Sequence, residues 1–173
     1  MRTRFWAISV LLIATTGILI PAAASAGTQA AAPPRCLSQN LHLSFQPDFG
    51  GGYAGGYVYN VLWENMGTGS CSLTGYPGIS ALGSKLRVLG SPAGRDGIDP
   101  VTTVTMPPGG IIVSKLRVTD VYNYPEAKCK PTRAFYIRAY APGAYQADRA
   151  AAASFEACRG PGIVYMHTST VIP

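Results

Sequence analysis

Polar and apolar positions alternate along the chain in short blocks, and most of these blocks read as β-strands. Leu41-His42-Leu43-Ser44-Phe45 switches character at every step, the period of a half-buried strand. The strongest signal lies over 57–65. Tyr57, Tyr59, Val61 and Trp63 fall on one face there, and Val58, Asn60, Leu62 and Glu64 on the other. Further short strands are predicted over 71–73, 79–82, 86–89, 101–106, 111–122 and 135–140, with Phe135 and Ile137 sharing a face. A closing strand is predicted over 163–171.

Turn chemistry separates these blocks. Asn65-Met66-Gly67-Thr68-Gly69, Gly75-Tyr76-Pro77-Gly78 and Pro107-Pro108-Gly109-Gly110 each carry residues that favour tight turns. The glycine-rich stretch 47–56 reads as a mobile loop, and 91–100 as a second loop. Only the alanine-rich stretch 150–157 looks helical, at about two turns. Eight or nine short strands with almost no helix predict an all-β domain over 35–173. The expected architecture is an immunoglobulin-like two-sheet β-sandwich with Greek-key connections and Trp63 in its core.

The first residues read as a processing segment. Arg2 and Arg4 precede an uncharged apolar run from Phe5 to Ile20, Pro21 breaks it, and Ala24-Ser25-Ala26 offers a small-x-small cleavage pattern. The expectation is a signal peptide over 1–26 and a disordered tail over 27–34. The apolar run is shorter than the ~20 residues that cross a bilayer. No second such run follows, so no membrane span is expected after cleavage. The product would be secreted, or retained at the cell wall.

Composition narrows the function classes. The 173 residues include 20 Gly and 14 Pro, too many for a long coiled coil, while 47% hydrophobic residues argue against a wholly disordered chain. Without Arg2 and Arg4, 12 Lys and Arg face 8 Asp and Glu. This mild excess is spread along the chain, and its one cluster is Lys128, Lys130 and Arg133. Nucleic-acid binding needs a denser stripe, so no nucleic-acid partner is expected. The cluster reads as a solvated loop, or as a source of weak attraction to an anionic envelope polymer.

All four cysteines, Cys36, Cys71, Cys129 and Cys158, follow the export signal, which predicts two disulfides. Four cysteines allow three pairings, and sequence alone does not choose among them. The favoured pairing is Cys36–Cys71 with Cys129–Cys158, each stapling the start of the domain or a loop to a neighbouring strand. Zinc is not expected, because no C-x-x-C or H-x3-H spacing is present.

One segment is distinctive: Cys71-Ser72-Leu73-Thr74-Gly75-Tyr76-Pro77-Gly78. Asn65-x-Gly67 precedes it, and Pro107-Pro108-Gly109, Cys129-x-Pro131 and Cys158 follow. This set resembles the actinobacterial exported family known as domain of unknown function 4232, over about residues 36–171. The resemblance implies export, a single all-β domain and a four-cysteine framework. It carries no assigned activity, so no catalytic residue transfers. The chain departs from lipid-anchored members in lacking a cysteine just after the apolar run. Physically, Gly75 permits a positive φ, Pro77 sets its own φ and extends Tyr76, and Gly78 completes the bend. The segment reads as a structural corner.

Little in the chain suggests catalysis. The available bases are His42 and His167, on the first and last predicted strands, and no Gly-x-Ser-x-Gly elbow is present. Asp96 and Asp99 are too few for a calcium site that needs six to eight oxygens. Met166-His167 would suit copper, but neighbours on a strand point to opposite faces. Neither a metal nor a cofactor is expected, and the chain does not read as an enzyme.

The tyrosines are more informative. Ten are present, and Tyr53, Tyr57, Tyr122, Tyr124 and Tyr145 lie in or beside loops. Tyrosine suits strands, but it also offers a rigid apolar face with a polar tip for recognition. The candidate binding residues are therefore Tyr122, Tyr124, Tyr53 and Tyr57. The leading expectation is a non-catalytic extracellular binding module for a cell-wall polymer or a protein partner. The alternative is a secreted peptidase inhibitor presenting residues 128–133, with Lys130 beside Cys129.

Overall fold

A computed structural model describes residues 31–173, of which Ala32–Pro173 form one compact unit. The signal peptide expected over 1–26 lies outside the described residues, as do residues 27–30 of the tail expected over 27–34. At the end of that tail the Pro33 and Pro34 carbonyls accept hydrogen bonds from the Ser72 hydroxyl, and Pro34 also accepts from the Ser72 backbone N–H at 2.8 Å. Among the described residues, no helix is long and apolar enough to cross a membrane.

Among the described residues, eleven strands form in chain order: β1 Leu41–Tyr53, β2 Gly56–Asn65, β3 Cys71–Thr74, β4 Gly78–Leu82, β5 Val88–Leu89, β6 Gly94–Arg95, β7 Thr103–Met106, β8 Ile111–Thr119, β9 Pro131–Tyr140, β10 Asp148–Cys158 and β11 Met166–Thr168. The described residues also hold one short α-helix, α1, over Glu126–Cys129. The strands assemble as a five-stranded sheet ordered β1-β2-β8-β11-β6 and a four-stranded sheet ordered β10-β9-β4-β5. The chain repeatedly crosses between the two sheets, so hydrogen-bonded neighbours such as β2 and β8 are distant in sequence. The arrangement is the expected sandwich, with β3 and β7 adding a separate two-stranded ladder.

The alternation in β2 works as its sequence suggests. Tyr59, Val61 and Trp63 point into the core while Val58, Asn60, Leu62 and Glu64 stay half-buried on the other face. Phe45 of β1, Tyr59 of β2 and Phe155 of β10 join the sheets through an aromatic trio. Phe45 and Tyr59 stack at 4.9 Å between centroids, and Phe155 leans on Tyr59 at 5.4 Å. Such contacts add to the area buried by each ring.

The two disulfides are Cys36–Cys71 and Cys129–Cys158. The first ties the segment ahead of β1 to β3, and the second ties α1 to the end of β10. The Gly75–Gly78 segment is a structural corner. Gly75 takes φ +99°, and its carbonyl accepts from the Val171 N–H at 3.0 Å and the Thr170 hydroxyl at 3.1 Å.

Several local expectations are corrected. Residues 47–56 are not a mobile loop but the end of a β-hairpin. Pairing slips between Pro47 and Gly52, then resumes as Gly52 opposite Tyr57 and Tyr53 opposite Gly56. Gly55, at φ +87°, makes the tight turn, a conformation that suits glycine. The alanine-rich stretch 150–157 is not helical; it is part of β10, paired with β9 from Asp148–Ala139 to Cys158–Pro131. Strand pairing and the burial of Phe155 and Ala157 override the helix preference of alanine there.

Phe135 and Ile137 do not share a buried face, because Ile137 is buried and Phe135 is 44% exposed. The register of the β9–β10 pair shifts between Ala151 and Phe155, opposite this point, and the alternation of β9 slips with it. The strand expected over 86–89 shortens to β5, since Leu86 takes φ +58° in the preceding turn. The closing strand contracts to β11, and the following Ser169, Thr170 and Val171 remain buried without forming a ladder.

Candidate binding site

The candidate site is built where β8 ends. Tyr57 of β2 sits opposite Val118 of β8. One residue beyond Thr119, the Asp120 carboxylate accepts a hydrogen bond from the Tyr122 N–H at 3.0 Å and starts a 3-10 turn over Val121–Asn123. That cap satisfies a backbone donor that the turn would otherwise leave free. The turn drives Val121 into the core, at 1% exposure, and turns Tyr122 outward, at 74%. Tyr57 is also largely exposed, at 59%. Both tyrosines line one cleft of about 300 Å3, together with Ser154, Phe155 and Glu156 of β10.

The floor of the cleft is apolar. Tyr59 and Phe155 belong to the aromatic trio, and Val118 is buried in the central sheet. Burial pushes the Tyr59 phenol above its ordinary value, and the neighbouring Tyr57 adds to that rise. Tyr59 therefore keeps its proton at neutral pH. Asp120 and Glu156 bring carboxylate acceptors to the lining. Two exposed phenol rings beside carboxylates can hold a ligand that has an apolar face and hydroxyl groups on its edge.

Of the four tyrosines expected to bind, the fold therefore unites two. Tyr53 lies in a different groove, on the outer face of the five-stranded sheet, with its phenol oxygen 3.2 Å from the Thr119 hydroxyl. Tyr124 is half-buried against the core, and its hydroxyl donates to the Val164 carbonyl at 3.3 Å. Tyr124 thus acts as a strut between two loops. Tyr145 is 98% exposed and stands at neither the cleft nor the groove.

The histidines do not converge. His167 lines the outer groove, whereas His42 sits on β1 opposite Glu64. Met166 is fully buried and His167 half-buried, as opposite faces of β11 require. Among the described residues, no group of three or more His, Cys, Asp or Glu could hold a metal ion. The segment with Lys128 and Lys130 folds as the single turn of α1, closed by Lys130 at φ +51°.

Two features of the cleft escaped the sequence reading, Phe155 and Glu156 on β10. Their stretch carries a helical composition, and no local pattern links it to Tyr57. The outer groove with Lys115, Arg117, Asp96 and His167 was missed for the same reason, since its residues come from β8, β11 and the segment after β6.

Comparison with known families decides the chain's affiliation. The family model described as "Domain of unknown function (DUF4232)" matches residues 36–170. The chain belongs to this family. No curated protein and no solved structure matches it. The part of the chain that matches the DUF4232 model runs from Cys36 through Thr170, so it contains both disulfides and every residue of the aromatic cleft.

Proposed function

We propose that this DUF4232 domain is a non-catalytic extracellular binding module, and that its ligand site is the cleft lined by Tyr57 and Tyr122. One observation carries the reading. Two largely exposed tyrosines, remote in sequence, line the same cleft over an apolar floor. Exposed aromatic rings held by a rigid scaffold are a recurring solution for recognition. The ligand we favour is a segment of a cell-wall polymer, with sugar rings against the phenols and hydroxyls donating to Asp120 and Glu156. Two disulfides fit an oxidising location, and the export signal expected over 1–26 would deliver the chain there.

The inhibitor reading draws less support from the geometry. Strand addition to a partner requires an extended segment, whereas Lys128 lies in a helical turn and Lys130 takes the left-handed conformation at φ +51°, so the segment 128–133 is extended only from Pro131 onward.

Co-sedimentation with purified cell envelopes across a salt series tests the proposal. The domain should remain bound at high salt, and Tyr57→Ala with Tyr122→Ala should weaken binding about tenfold or more. Binding that disappears with salt would reflect diffuse charge alone and would overturn the reading. Absence of binding would equally remove the wall polymer as ligand.

A further inference from the structure

The outer face of the five-stranded sheet holds a second concavity of about 810 Å3, which shares only Thr119 with the aromatic cleft. Its base is a row of cross-strand neighbours. Val58 of β2 lies opposite Arg117 of β8, and Arg117 lies opposite His167 of β11. Paired residues project from the same face of a sheet, so the strands set the spacing of these side chains. The glycine-rich arm of β1 adds to the lining. Asp48 and Gly51 fall within the register slip between Pro47 and Gly52, and a Cβ at Gly51 would collide with the Asp48 carboxylate. The bare glycine leaves that carboxylate free to reach Lys115. Irregular pairing of this kind commonly re-aims a side chain at a site. Val58 and the exposed Ile98 supply apolar surface.

The charges in the groove cancel. Lys115 donates to Asp48 at 2.9 Å and to Asn60 at 2.7 Å, and Arg117 has Asp96 as its counter-ion. Arg95 contributes no charge there. Its strand partner Thr168 faces the core, and its guanidinium lies over the Tyr76 ring, 5.4 Å from the centroid. Hydrogen bonding, by contrast, is incomplete. Oδ1 of Asp96 accepts from the Ile98 N–H at 3.3 Å, while Oδ2 accepts no hydrogen bond although the side chain is only 5% exposed. Nη1 of Arg117 stands 4.0 Å from Oδ2, beyond hydrogen-bond range. A buried carboxylate oxygen without a donor is costly. One hydroxyl oxygen fits this gap: it can stand about 2.8 Å from both atoms, donating to Asp96 while accepting from Arg117.

We propose that this groove binds a neutral sugar. One hydroxyl of the sugar bridges Oδ2 of Asp96 and Nη1 of Arg117, and the apolar face of its ring rests on Val58 and Ile98. Arg117, at 38% exposure the outer member of the pair, has no hydrogen bond to Asp96 to break and turns aside as the hydroxyl enters. The Tyr53 phenol and the Thr119 hydroxyl, 3.2 Å apart, and the His167 imidazole offer further donors and acceptors in the lining. The groove has the size and the mixed apolar and polar lining of a small-molecule site. The chemistry discriminates against the neighbouring classes. A sugar acid or an amino sugar brings a full charge where the protein's own charges already balance, so it loses hydration without gaining a free counter-charge. A purely apolar ligand leaves Asp96 without a donor.

Titration of the chain with glucose, mannose and galactose, followed by NMR at the His167 imidazole, tests this. At least one of the three should bind and shift that resonance, while His42, which does not line the groove, stays fixed. The affinity should be the same at low and high salt, because no net charge is engaged. The matching uronic acid and 2-amino sugar should each bind about tenfold more weakly or worse. Asp96→Asn keeps an acceptor for the Ile98 N–H but puts a donor where Oδ2 stood. It should weaken the sugar about tenfold while the melting temperature stays at or above that of the parent. Arg117→Gln should weaken it by a similar factor, with circular dichroism confirming the fold. Tyr57→Ala should leave all of this intact, so failure of the aromatic cleft and failure of this groove are separable. No shift at His167 with any of the three sugars would mean that the gap takes water alone and would overturn the proposal. Equal or tighter binding of the uronic acid, loss of affinity with salt, or indifference to both Asp96→Asn and Arg117→Gln would do the same.

Discussion

Removing the disulfides one at a time gives the sharpest test of how this fold is held. The Cys36–Cys71 and Cys129–Cys158 bridges close loops of 35 and 29 residues. In the chain-entropy model these lengths correspond to about 4 kcal/mol each, and they differ by only about 0.2 kcal/mol because the dependence is logarithmic. All four cysteines are buried, between 0% and 8% exposed, so the packing lost on Cys→Ala is similar at both bridges. Loops 36–71 and 129–158 do not overlap, so their effects on the unfolded chain add. Removal of both should cost about 8 kcal/mol, comparable with the whole ~5–15 kcal/mol stability of a typical domain. Each paired Cys→Ala variant should therefore fold, and the variant lacking all four should be largely unfolded at 37 °C. Guanidinium denaturation followed by the fluorescence of fully buried Trp63 reads this directly. Both midpoints should fall by similar amounts, and the denaturant slope should rise as the unfolded chain expands. A loss below about 1 kcal/mol for either bridge, or a gap above about 2 kcal/mol between them, would refute the entropic account.

Gly160→Ala should destabilise by about 3 kcal/mol or more, because a Cβ at Gly160 would overlap the Lys128 carbonyl oxygen across segments already tied by Cys129–Cys158. A normal melting temperature for that variant would contradict the packing described. Asn65 is 1% exposed, its amide donates to the carbonyls of Gly69, Met106 and Pro107, and its side-chain oxygen accepts from the Gly67 N–H. Asn65→Ala leaves these groups unpaired and should cost about 2–3 kcal/mol by denaturant titration. Burial pushes the Asp148 carboxyl above its ordinary value, partly offset by the nearby His42 charge. A raised carboxyl favours the folded state when protonated, and that contribution is lost as pH rises through the folded value. Asp148→Asn should therefore be more stable than the parent at pH 7, with the advantage vanishing below about pH 4, where both states of the parent are protonated. Melting curves across that pH range check the sign.

Local chemistry and tertiary structure contribute differently to what can be read from this chain. Period-two alternation along Tyr57–Trp63 marks β2 and its buried face, since a strand with one face in a core must repeat every second residue. Turn residues at Gly75–Gly78 and Pro107–Gly110 mark the bends, because only certain residues tolerate those dihedrals at low cost. Alternation, turn residues and an even number of cysteines behind an export signal suffice to expect a disulfide-bonded β-sandwich.

Pairing decided what those signals did not carry. Residues 150–157 are strand because β9 offers them a ladder and the core takes Phe155 and Ala157, whatever alanine prefers in isolation. The glycine-rich arm of β1 is strand because β2 resumes pairing with it beyond the slip at Pro47–Gly52. Nothing local to Tyr57, Tyr122 or Phe155 reveals that they line one cleft, just as nothing local to Arg117 and Asp96 reveals their groove. In sequence these side chains are separated by tens of residues, and only the crossing of strands between two sheets sets them side by side. The backbone alternation that builds the sheets is thus local and legible, while the sites are products of register and sheet order, which depend on the whole chain at once.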